Sequence, residues 1–142
     1  MSGIAILLTT CNSGKYLRPQ LDSLFAQTMR DFEIHVHDDG SKDDTLQILA
    51  EYQKKHPELI LREDPQPGRL AKGSFTWLLE NTQADYYMFC DHDDVWLNDK
   101  IEKTYSKMRA CEEAQPGKAV VINTDLKVVD EQLNEIHPSF WA

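Results

Sequence analysis

At 142 residues the chain is long enough for one domain with its own hydrophobic core and too short for two. Its 24 acidic against 15 basic residues give a formal net charge of −9, which argues against a nucleic-acid backbone as partner. No apolar run approaches a membrane span and no basic stretch leads into a cleavable apolar segment, so a soluble intracellular protein is expected.

The run Ile4–Leu8 predicts a strand, and Thr9-Thr10-Cys11-Asn12-Ser13-Gly14 a small polar turn after it. Leu17, Leu21, Leu24 and Phe25 then recur at helical spacing, with Pro19 near the first turn. Residues 32–37 alternate apolar with polar and end in Asp38-Asp39-Gly40-Ser41, a second strand closed by two carboxylates and a turn. Ser41 and Asp44 resemble a capping box, and Leu46, Leu49 and Ala50 are the expected buried side of a second helix. Leu59–Leu61 is a short third strand, Pro65–Gly68 a loop, and Ala71, Phe75, Leu78 and Leu79 mark a third helix.

Tyr86–Cys90 is a fourth strand that runs into Asp91-His92-Asp93-Asp94. Asn98 is placed to cap a fourth helix, with Asp99 and Glu102 in its first turn and Ile101, Tyr105 and Met108 on its buried side. Beyond Pro116-Gly117, Ala119–Ile122 predicts a fifth strand and Leu126–Val129 a short sixth. The aromatic last residues, Phe140 and Trp141, suggest a chain that continues further. Cys11 and Cys90 close apolar runs and read as small core residues, not as a disulfide framework or thiolate site.

Strands alternating with helices through short links predict an α/β fold with a mostly parallel, Rossmann-like sheet flanked by helices. The polar motifs after strands one, two and four then gather on one sheet edge, where open α/β sheets bind ligands. Three carboxylates within four residues repel one another, and a hard divalent cation bridging to a phosphorylated ligand would hold them together. Alone, the cluster is equally readable as an acidic turn that caps the next helix. His35 and His37 share one strand face and read as polar sheet positions. His92 sits between the acids and reads as no ligand. Lys15, Arg18, Arg69 and Lys72 lie near the expected edge as possible diphosphate partners, though each reads first as a solvated side chain.

Ile6–Asn12, Gln27–Ile34, Asp38–Thr45 and Asp91–Trp96, in that order and spacing, resemble the nucleotide-binding part of family 2 inverting glycosyltransferases of the GT-A fold. The Asp-x-Asp-Asp-x-Trp form is most similar to rhamnosyltransferase-like members that build bacterial surface polysaccharides. The resemblance implies one nucleotide-binding domain over residues 1–142, as part of a longer enzyme. It implies Thr9, Thr10, Asn12 and Asp39 as nucleotide-binding residues, Asp93 at the ribose, and Asp94 with Asp91 at Mn²⁺ or Mg²⁺. It further implies a UDP- or dTDP-sugar donor, a saccharide or lipid-linked acceptor, a place in the cytoplasm or at the cytoplasmic face of a membrane, and a catalytic base beyond residue 142. A non-catalytic nucleotide-sugar binding module is the alternative. A receiver-like phosphoacceptor domain fits less well, because its paired acids should follow the first strand, where Thr9-Thr10 stand. A nucleotidyltransferase would carry a glycine-rich basic loop there instead.

Overall fold

The computed structural model describes residues 3–141. It divides into two compact units, residues 1–100 and 101–142. In the first, β1 (Ile4–Thr10), α1 (Gly14–Phe25), β2 (Glu33–Asp38), α2 (Thr45–Lys55), β3 (Leu59–Arg62), α3 (Leu70–Glu80) and β4 (Tyr86–Cys90) follow one another in strict alternation. α4 (Lys100–Ala114) starts at the junction, and β5 (Val128–Val129) and β6 (Glu135–His137) belong to the second unit.

The sheet order is β3-β2-β1-β4, parallel throughout. β1 is central and buried along its whole length, as expected of an apolar strand covered on both faces. Its alternate residues divide between two layers. Ala5 and Leu7 pack with Leu78 of α3, flanked by Phe75, Trp77 and Tyr87. Leu17, Leu21 and Leu24 of α1 are fully buried, and α1 packs on α2. The chain lays down β2 and β3 on one side of β1, then crosses back to add β4 on the other. The order therefore reverses between β1 and β4, and crevices that bind ligands form at such reversals, outside the strands' C-terminal ends.

The two turns beside this reversal brace each other. Asp43 Oδ2 accepts the Gly14 N–H at 3.0 Å and Thr45 Oγ1 accepts the Ser13 N–H at 2.8 Å, so side chains at the opening of α2 cap the opening of α1. A Cβ on Gly14 would lie 1.9 Å from Asp44 Oδ1, which is why glycine stands at this close approach. The expected Ser41–Asp44 capping box does not form. Asp44 occupies the cap position without a side-chain hydrogen bond, while Asp43 Oδ1 accepts the Thr45 N–H and Ser41 is drawn into the preceding turn.

The predicted fifth strand is absent: Ala119–Ile122 is irregular, with Val121 81% exposed. A strand needs a partner for its N–H and C=O groups, and among the described residues this run has none in a sheet. Val128–Val129 does form a strand, but it pairs antiparallel with β6 in a separate hairpin. Asp130 closes that hairpin by accepting the Gln132 and Asn134 N–H groups, both at 2.9 Å. α4 begins at Lys100, so Glu102 lies in its first turn while Asp99 precedes it; Ile101 is buried and Tyr105 and Met108 are half-buried.

Candidate functional site

A cavity of about 410 Å³ opens at the C-terminal ends of β1, β2 and β4. Thr9, Thr10 and Cys11 form its floor, Asp39 stands at the β2 end, and Asp91, His92 and Asp93 stand at the β4 end. Leu70, Ala71 and Ser74, from the first turns of α3, supply one wall. Five of the seven residues that the resemblance implies at nucleotide or metal, Thr9, Thr10, Asp39, Asp91 and Asp93, line this one space.

Asn12 and Asp94 do not line the cavity. Asn12 holds the turn: its backbone takes a left-handed φ of 50°, its N–H donates to Ser41 Oγ at 2.8 Å and its Oδ1 accepts the Lys42 N–H at 2.8 Å. Asp94 follows the cavity carboxylates immediately. Burial raises its pKa, and the charges of Asp93 and Asp91 raise it further. A cation placed here would relieve that repulsion. Among the described residues, no three His, Cys, Asp or Glu side chains converge into a metal cage. Asp91, Asp93 and Asp94 offer carboxylate oxygens, the ligand type that hard divalent cations prefer.

The two aspartates after β2 have separate duties. Asp38 builds the turn, accepting from Thr10 Oγ1 at 2.7 Å, from Ser41 Oγ at 2.5 Å, and from the Gly40 and Ser41 N–H groups. Asp39 faces the opposite loop. Its Oδ1 accepts the N–H groups of Gly68 and Arg69 at 2.7 and 2.8 Å, and its Oδ2 accepts that of Leu70 at 2.9 Å. It thereby caps α3 from across the sheet, a contact that short-range sequence patterns do not encode. Burial pushes the Asp39 carboxyl up, but the amides of Arg69, Gly68 and Leu70 outweigh it and hold the group below its ordinary value. Asp39 is thus kept as an acceptor-only carboxylate.

The loop that supplies those amides is itself anchored. Asp64, with a side chain 2% exposed, accepts from both Arg69 and the Gln66 N–H and lies 2.9 Å from His37 Nε2. Arg69 foremost holds the Asp64 carboxyl far below its ordinary value, against burial. His37 is fully buried, its ring beside Trp77, so it is an interior anchor and not the polar sheet-face position expected; His35 is buried likewise. Arg18 and Arg69 are engaged by Glu51 and Asp64, and neither they nor Lys15 nor Lys72 line the cavity. Cys11, expected in the core, is exposed at the cavity; burial of its sulfur and the charges of Asp39, Asp38 and Asp43 raise its thiol pKa. Ser74 was not foreseen. Its signal was a lone hydroxyl one turn before Leu78 on an otherwise apolar helix face.

Residues 5–130 match the family model described as Glycosyl transferase family 2. The chain belongs to glycosyl transferase family 2. It is 35% identical over 101 residues to the dTDP-rhamnosyl transferase RfbG of Shigella flexneri, covering 67% of this chain and 34% of that protein. Among solved structures it is similar to S. aureus TarS 1–349 in complex with UDP, at TM-score 0.66 and 23% identity over 95% of this chain and 43% of that one. It is also similar to the mannosyltransferase PcManGT of Pyrobaculum calidifontis in complex with GDP-Man and Mn²⁺, at TM-score 0.65 and 20% identity over 73% of this chain and 31% of that one. The fold is therefore the GT-A type of these glycosyltransferases. The family 2 chain spans well under half the length of the first curated relatives it matches. No helix among the described residues is long and apolar enough to cross a membrane.

Proposed function

We propose that the cavity is the donor site of an inverting glycosyltransferase that moves a sugar from a nucleoside diphosphate to a saccharide or lipid-linked acceptor. The observation that carries this reading is the meeting of Thr9-Thr10, Asp39 and Asp91–Asp93 around one space at the strand-order reversal. The cavity volume lies within the usual range of small-molecule sites.

Asp39 reads the base. A carboxylate offers about four acceptor positions, and three amides occupy Asp39 already. The remaining position suits the imide N–H of uracil or thymine and is repelled by the bare N3 of cytosine. Thr9 and Thr10 shape the floor under the base, and Asp93 accepts from the ribose. Asp91 and Asp94 would hold Mn²⁺ or Mg²⁺, which would supply positive charge to stabilise the departing diphosphate. The similarity to RfbG favours a dTDP-rhamnose donor, and the likeness to TarS bound to UDP keeps a UDP-sugar as the alternative. Every cavity carboxylate is then committed to nucleotide or cation, so none is assigned as the base that deprotonates the acceptor hydroxyl. The reaction is completed within a longer enzyme of the cytoplasm or its membrane face, in surface-polysaccharide synthesis.

Calorimetric titration with UDP, dTDP and GDP, each with and without Mn²⁺, tests the reading. UDP or dTDP should bind more tightly with Mn²⁺, and Asp94→Ala should remove that difference. Absence of binding by all three nucleotides refutes the donor site; persistence of the Mn²⁺ effect in Asp94→Ala refutes that residue's role.

A further inference from the structure

Among the described residues, six buried side-chain atoms have no hydrogen-bond partner: Gln20 Oε1, His35 Nδ1, His37 Nδ1, Ser74 Oγ, Thr82 Oγ1 and His92 Nδ1. Of these residues only Ser74 and His92 line the cavity. Ser74 is fully buried and stands one helical turn before Leu78, which packs on Ala5 and Leu7 of β1. The helix face that seals the core therefore reaches the cavity at Ser74, on the side of β1 that Thr9 shares with Leu7. A buried serine inside a helix can satisfy its hydroxyl on the carbonyl four residues earlier. Thr76 does so, donating to the Lys72 carbonyl at 2.9 Å, whereas Ser74 does not. An unmet buried hydroxyl is destabilising, and an alanine here would merely extend the apolar stripe.

We propose that Ser74 is a further binding contact of the donor site, whose hydroxyl hydrogen-bonds a pentose hydroxyl of the bound nucleoside diphosphate. The inference rests on the donor-site reading and adds to it a residue from the helix wall. The cavity runs from Asp39 across the end of β1 to Asp91–Asp93. A nucleotide with its base at Asp39 and its diphosphate at the acidic end lays its pentose over β1, beside Ser74. A pentose hydroxyl both donates and accepts, which matches a serine hydroxyl.

The test is calorimetric titration of UDP with Mn²⁺ into the wild-type chain and Ser74→Ala, with thermal unfolding of both ligand-free proteins. Ser74→Ala should unfold at the same or a higher temperature, because it removes an unsatisfied buried group, and should bind UDP roughly two- to tenfold more weakly. A structural serine would give the opposite pair, a lower unfolding temperature with affinity unchanged, and that result overturns the inference. Wild-type binding that Ser74→Ala leaves intact overturns this inference alone. Failure of the wild type to bind any nucleotide overturns the donor-site reading, and this one with it.

Discussion

Replacing Asp39 with asparagine should change which base the site prefers, at a small cost in stability. In the wild type, Oδ1 takes two amides and Oδ2 takes the third, from Leu70. The asparagine carbonyl is best placed on the Gly68 and Arg69 pair, which leaves its NH₂ toward Leu70 and the base. The Leu70 N–H then faces a donor. Loss of one hydrogen bond to a charged acceptor, at a partly solvated helix cap, costs about 1–2 kcal/mol. That corresponds to a fall of roughly 3–10 °C in unfolding temperature for a domain of this size. The same NH₂ repels the imide N–H of uracil and donates to N3 of cytosine. Titration of UDP and CDP into both proteins should therefore show UDP preferred by the wild type and the ratio reversed, or at least brought to one, in Asp39→Asn. Thermal unfolding by circular dichroism supplies the stability arm. A UDP-to-CDP ratio identical in the two proteins would refute Asp39 as the base reader. An unchanged unfolding temperature would refute its role as the cap of α3.

Two further outcomes test the frame around the site. Leu78→Ala should cost about 2–5 kcal/mol, measured by urea unfolding, since Leu78 is fully buried between Ala5 and Leu7 and β1 has no slack to close the cavity left behind; a loss below about 1 kcal/mol would mean that α3 is not packed on β1 as described. His35 gives a pH signature. Burial lowers its pKa below the ordinary 6.5, against the pull of Glu33, so the unfolded chain binds a proton more readily than the folded one. Stability should therefore decline as pH falls from about 6.5 toward the lower folded value. His35→Phe should flatten that part of the urea-unfolding profile, and a slope that survives the substitution assigns it to another group.

The layout of the sheet was legible because each of its strands carries its own signal. Ile4–Leu8 and Tyr86–Cys90 are short apolar runs, residues 32–37 alternate, and each ends in polar residues that the topology brings together. The misplacements share a cause, namely partners distant in sequence. Ala119–Ile122 has strand composition but lacks a ladder partner among the described residues. His35 and His37 alternate like solvated positions, yet His37 is sealed in by Asp64 and Trp77, 27 and 40 residues further on. Ser74 has no local motif to mark it; only the helix face it shares with Leu78, which reaches the cavity, does so.

The chain of contacts behind Asp39 shows why the β2 end of the cavity is held by the protein's own contacts while its acidic end is not self-sufficient. Asp39 is clasped by the Gly68–Leu70 amides, Arg69 of that segment is clasped by Asp64, and Asp64 reaches the fully buried His37 on the same strand that delivers Asp39. The loop closes on itself: His37 of β2 and Asp39 just after it hold its two ends, so the Asp39 carboxylate is positioned by the protein's own hydrogen bonds. At the other end, burial first, and then the charges of Asp93 and Asp91, raise the Asp94 pKa, and Lys100 only partly opposes them. One end of the cavity is thus finished by the protein alone. The other is left with negative charge that a cation and its diphosphate can satisfy together.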